Sequence, residues 1–117
     1  MVIRLLLVLL TVLTFHGTAF AHGALERATP KPGSVVKTAP AQVTLRFNEK
    51  LEPKFSTVEV INASGERMDA APAQVKSGTT LEVALKPVPA GTYTVNWQVV
   101  SMDIHTTSGS FTFEVRP

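Results

Sequence analysis

Tyr93-Thr94-Val95-Asn96-Trp97-Gln98-Val99 alternates apolar and polar side chains along its whole length. Successive side chains of an extended chain leave opposite faces, so this stretch buries Tyr93, Val95, Trp97 and Val99 and turns the residues between them outward. That is the pattern of an antiparallel strand with one face on a core and the other in water. The same alternation recurs on both sides, in Val43-Thr44-Leu45-Arg46-Phe47, Val58-Glu59-Val60, Leu81-Glu82-Val83-Ala84-Leu85 and Phe111-Thr112-Phe113-Glu114-Val115. Ala24–Thr29 alternates weakly and offers a first strand. Turn-forming residues separate these runs: Pro30-Lys31-Pro32-Gly33-Ser34, Ala39-Pro40-Ala41, Ala63-Ser64-Gly65, Ser77-Gly78 and Pro87-Val88-Pro89-Ala90-Gly91. Helical periodicity is hard to find after Ala21. About seven short strands at this spacing predict an all-β fold, a seven-stranded Greek-key β-sandwich or barrel of immunoglobulin-like type. Its predicted core is Leu45, Phe47, Val58, Val60, Leu81, Val83, Val95, Trp97, Val99, Phe111 and Phe113, with Tyr93 packed beside them.

Residues 1–21 read differently. Arg4 supplies a positive end, Leu5–Leu13 an apolar stretch and Ala19-Phe20-Ala21 a small-x-small cleavage site, which together describe a secretory leader cut after Ala21. The apolar run from Val2 to Leu13 is short of the ~20 residues that a spanning helix needs. A competing site, Gly17-Thr18-Ala19, would start the mature chain at Phe20 instead. Cleavage after Ala21 leaves residues 22–117 as one small exported domain, soluble and with no membrane insertion of its own.

Composition narrows what that domain does. The 117-residue chain has no cysteine, which excludes thiolate metal sites and cysteine-based redox chemistry and leaves packing to hold the fold. Without Arg4, ten basic residues face nine acidic ones, and the lysines are scattered among acids. No basic stripe or stacking platform exists for nucleic acid, and the near balance of charge favours a monomer.

His22 and the run Ser101-Met102-Asp103-Ile104-His105 hold the chemistry. A histidine at a new amino terminus offers its α-amine and a ring nitrogen to one ion, and His105 is the only other histidine beyond the leader. Extended backbone would place the Asp103 and His105 side chains on one face, about 6.5 Å apart along the strand. Two nitrogens from one residue, a second imidazole and a nearby carboxylate suit Cu(II), which favours tetragonal N,O coordination. The residue types alone equally allow a frayed His22 and an ordinary hydrogen-bonded His105. They do not bring the two histidines together.

The whole stretch 22–117 resembles the CopC family of periplasmic copper-binding proteins. The resemblance rests on His22-Gly23-Ala24-Leu25, Thr29-Pro30, Gly33-Ser34, Ala39-Pro40, Leu45-Arg46-Phe47-Asn48-Glu49 and Phe55-Ser56. The long run from Gly91-Thr92-Tyr93 to Ser101-Met102-Asp103-Ile104-His105 and then Gly109-Ser110-Phe111-Thr112-Phe113 complete it. It implies a periplasmic Greek-key sandwich carrying one Cu(II) per chain, with the amine and ring of His22 and the imidazole of His105 as donors. By the same likeness Asp103 supplies a carboxylate near the metal, Glu49 stands close as an outer-shell or hydrogen-bonding group, and an inner-membrane copper transporter is a plausible partner. Some members add a methionine-rich loop for Cu(I), but the matching stretch here, about 61–74, contains only Met68, so a single Cu(II) site is expected.

The function so implied is binding without turnover: a protein that sequesters, buffers or delivers copper for resistance or homeostasis. Because the donor nitrogens must be deprotonated, affinity should fall below neutral pH. Two other readings compete. A small copper oxygenase with an amino-terminal histidine would need an open metal position and would produce hydrogen peroxide with reductant. A metal-free structural sandwich would bind no stoichiometric Cu(II). Ser101, Asp103 and His105 lie too close along one strand for the convergent geometry of a hydrolytic triad.

Overall fold

The structure, a computed structural model, describes residues 24–117. The expected leader, its cleavage site after Ala21 and His22 lie outside these described residues. The described residues form strands and turns with no helix. The strands are β1 (Leu25–Thr29), β2 (Val35–Val36), β3 (Gln42–Phe47), β4 (Thr57–Ile61), β5 (Gln74–Lys76), β6 (Thr80–Ala84), β7 (Gly91–Val100) and β8 (Thr106–Val115).

Two four-stranded sheets face each other, in the orders β1-β3-β6-β5 and β2-β8-β7-β4. All pairings are antiparallel except β2 with β8. The chain crosses between the sheets repeatedly, as a Greek-key sandwich requires. There are eight strands among the described residues, against the seven expected. β2 and β5 are too short to show an alternation of their own.

The buried residues follow the alternation. Leu45, Phe47, Val58, Val60, Leu81, Val83, Val95, Val99, Phe113 and Tyr93 are all buried, joined by Val43, Leu51, Val88 and Val115. Trp97 and Phe111, expected in the core, are half-buried and packed against it. Trp97 stands edge-on to Phe47, ring centroids 5.0 Å apart, and lies against the backbone of Gly109 on the paired strand. Tyr93 stacks on Phe113 at 5.4 Å and donates its hydroxyl to the Pro89 carbonyl, so its one polar atom is satisfied inside. Burial raises the pKa of that hydroxyl.

The outer edge of β4 is covered by residues 66–69. Met68 N–H donates to the Val60 carbonyl at 2.7 Å, and Val60 N–H donates to Asp69 Oδ1 at 3.2 Å. Arg67 grips the same carboxylate through Nε and Nη2 at 2.8 and 2.7 Å. The Asp69 side chain is 11% exposed, and its pKa is lowered, first by the Arg67 hydrogen bond and also by the Val60 amide, against the opposing pull of burial. Asp69→Ala leaves that amide without its partner and should cost about 1–3 kcal/mol at neutral pH. A carboxylate with a depressed folded pKa stabilises above its unfolded pKa and loses that contribution as pH falls through the folded value. Urea denaturation of both chains should therefore show the gap narrowing in strong acid. A gap independent of pH would contradict the assignment.

Candidate metal centre

β7 and β8 pair in register from Gly91↔Val115 to Val100↔Thr106, which leaves Ser101–His105 as their connection. Ser101 N–H donates to the His105 carbonyl at 2.9 Å and closes the connection, while Ile104 N–H donates to the Ser101 carbonyl at 2.8 Å. Closing so tightly puts Ile104 at φ 68°, in the left-handed region that a β-branched residue rarely adopts. The residue is 84% exposed, so no burial of its own compensates that strain, and strain of this kind concentrates at functional sites.

The turn corrects the extended geometry expected for Asp103 and His105. Rather than standing a strand repeat apart, Asp103 Oδ2 lies 3.3 Å from His105 Nδ1. Asp103 Oδ1 accepts from the hydroxyl of Ser101, whose Oγ also accepts from His105 N–H at 3.3 Å. Ser101 is fully buried, whereas the side chains of Asp103 and His105 are 40% and 60% exposed. A buried hydroxyl thus holds an exposed carboxylate against an exposed imidazole.

A second loop supports the turn. Met102 N–H donates to the Lys50 carbonyl at 2.9 Å, Glu52 N–H donates to the Val100 carbonyl at 2.7 Å, and Leu51 bridges Ser101. Two residues earlier in that loop, Asn48 ties down the beginning of the described chain. Ala24 N–H donates to Asn48 Oδ1 at 2.9 Å, and Asn48 N–H donates to the Ala24 carbonyl at 3.1 Å. Three segments distant in sequence, Ala24, Asn48–Glu52 and Ser101–His105, are therefore linked at one end of the sandwich. Glu49, half-buried, sits between Asn48 and Lys50 in the middle segment.

Of the four residues the sequence singles out, Asp103 and His105 are brought into contact, Glu49 lies on the adjoining loop, and His22 lies outside the described residues. Among the described residues, no three His, Cys, Asp or Glu side chains gather to hold an ion. Two residues to which sequence reasoning gave no positioning role do much of the positioning. Asn48 anchors Ala24, where the described residues begin, and its signal was only a polar residue ending the apolar run of β3. Ser101 anchors the turn; its signal was a serine at the end of β7, two residues before the aspartate.

The architecture and the turn define a class: a two-sheet β-sandwich displaying a carboxylate–imidazole pair at one end. Residues 25–116 match the family model described as CopC domain, and the chain belongs to that family. It is 34% identical over 113 residues to copper transport protein CutJ of Bacillus subtilis (strain 168), a match that covers 94% of this chain and 21% of CutJ. The chain thus spans about a fifth of that relative's length. It is also 36% identical over 106 residues to copper resistance protein C of Pseudomonas syringae pv. tomato, covering 84% of this chain and 83% of the relative. The crystal structure of CopC from Methylosinus trichosporium OB3b is similar with a TM-score of 0.76 at 28% identity, over 82% of this chain and 95% of that one.

Proposed function

We propose that this protein is exported to the periplasm and binds one Cu(II) per chain to sequester, buffer or deliver it. In this reading the leader is cleaved after Ala21. His22 then donates its amine and ring nitrogen, His105 its imidazole, and Asp103 a carboxylate beside the ion, with Glu49 in the surrounding shell. The observation that carries the reading is the linkage of Ala24 to Asn48, of Lys50 to Met102, and of Asp103 to His105. His22 is two residues from Ala24, and two residues reach at most about 7 Å. A chain cleaved after Ala21 would then have its terminal donors within that span of Ala24, at the end of the sandwich that carries His105.

The protein's part is to hold donors in a geometry that Cu(II) favours. The contact of Asp103 Oδ2 with His105 Nδ1 holds the carboxylate and the imidazole together on the turn before an ion arrives. This is binding without a reaction. The names of copper resistance protein C and of CutJ, a copper transport protein, support copper as the ion, and an inner-membrane copper transporter would be its donor or acceptor.

Isothermal titration of the chain beginning at His22 should give one equivalent of tight Cu(II). Met68 is half-buried against the core and far in sequence from the turn, so Met68→Ala should leave that affinity unchanged. Absence of stoichiometric binding in the parent chain would overturn the proposal and favour a metal-free sandwich.

A further inference from the structure

We propose that Ser101 is a positioning residue for copper capture, acting through Asp103 and His105 rather than on the ion. This rests on the copper-binding reading and adds to it a residue that is not itself a ligand. Ser101 and Ser56 are the buried polar residues among the described ones. Ser56 uses its hydroxyl to accept Val100 N–H at 3.3 Å, a contact between backbone and side chain that shapes a loop. Ser101 instead directs its hydroxyl into the pair, donating to Asp103 Oδ1 and accepting His105 N–H.

That arrangement does two things at once. A hydroxyl bound to a carboxylate makes a charge-assisted hydrogen bond, stronger than a neutral one. It selects one rotamer of Asp103, whose other oxygen then meets His105 Nδ1 at 3.3 Å. Accepting the His105 amide fixes the backbone from which the imidazole projects. Both exposed groups are thereby aligned by one atom that water does not reach. Pre-set donors spare the binding step the entropy of ordering two mobile side chains.

Ser101→Ala removes the hydroxyl but keeps the backbone bond from residue 101 N–H to the His105 carbonyl, so the turn survives. Cu(II) affinity should drop about 10–100-fold, the usual effect of outer-shell changes, and the copper paramagnetic spectrum should change with it. The discriminating experiment is a cycle with Asp103→Ala, reading Cu(II) affinity by competition titration. If Ser101 works through the carboxylate, Ser101→Ala on the Asp103→Ala background should cost less than about twofold. Equal losses in both backgrounds would show a general structural role and overturn the inference.

A metal-free measurement separates this inference from the copper reading. In the parent chain the neutral His105 ring should carry its proton on Nδ1, read from ring nitrogen shifts, and Ser101→Ala should erode that preference. Failure of the parent chain to bind Cu(II) would sink the copper reading alone. An unchanged ring tautomer in Ser101→Ala would overturn the positioning role whether or not copper binds.

Discussion

His105→Ala is expected to weaken Cu(II) binding by more than the roughly 10–100-fold that outer-shell changes cost. The chain has three histidines, at 16, 22 and 105, and the first falls within the proposed leader. With cysteine absent, no thiolate can replace a lost imidazole. The methionines offer soft thioethers that suit Cu(I) better than Cu(II). In the proposed site, removing His105 therefore leaves His22 as the sole source of nitrogen donors, and it also strips Asp103 of the ring it orients. The fold should hardly respond, because the His105 side chain is 60% exposed and its backbone bonds to Ser101 remain. Competition titration with a chelator of known strength reads the loss, and circular dichroism checks the fold. An affinity within about twofold of the parent would remove His105 from the site.

Gly109→Ala is expected to destabilise the fold. Glycine in a strand interior ordinarily weakens it, so alanine at such a position often stabilises. Here the sign reverses. A Cβ at 109 would lie 2.4 Å from Trp97 Cζ2 and 2.7 Å from Cε2, both in a rigid ring. That ring is set edge-on against the buried Phe47, so it cannot yield without disturbing the packing between the sheets. Overpacking of this kind costs typically about 1–3 kcal/mol, and it should lower the urea midpoint by a matching amount. Trp97 is the only tryptophan, so its fluorescence reports the rearrangement directly. An unchanged or raised midpoint would show that the contact between Gly109 and Trp97 does not constrain the sandwich.

The same pair explains where the strand pattern faded. Alternation from Tyr93 to Val99 and from Phe111 to Val115 marks most of β7 and the second half of β8. The first half of β8, Thr106 to Ser110, escaped because its inward position opposite Trp97 is a glycine and the neighbouring inward residue is Thr107. The indole supplies the bulk that a side chain at 109 would otherwise bring. Residues 35–36 and 74–76 pair only because longer strands beside them offer an edge, a tertiary effect that a two- or three-residue segment does not announce.

The site was legible as chemistry and not as geometry. Spacing placed Asp103 and His105 two residues apart and suggested a shared strand face. The actual contact depends on Ile104 at positive φ, which residue preference disfavours, and on the buried hydroxyl of Ser101. Nor did the residue types by themselves foreshadow that Ala24 is clamped by Asn48, the bond that brings the beginning of the described chain to the loop carrying Glu49.

The central claim, that a terminal histidine and His105 share one ion, is tested most directly by comparing Cu(II) affinity of two chains. One begins at His22, and the other carries a single extra residue before it, which turns the donor amine into an amide. Tight binding with nitrogen hyperfine structure is expected for the first and loss of the tight site for the second. Equal affinity in both would contradict it.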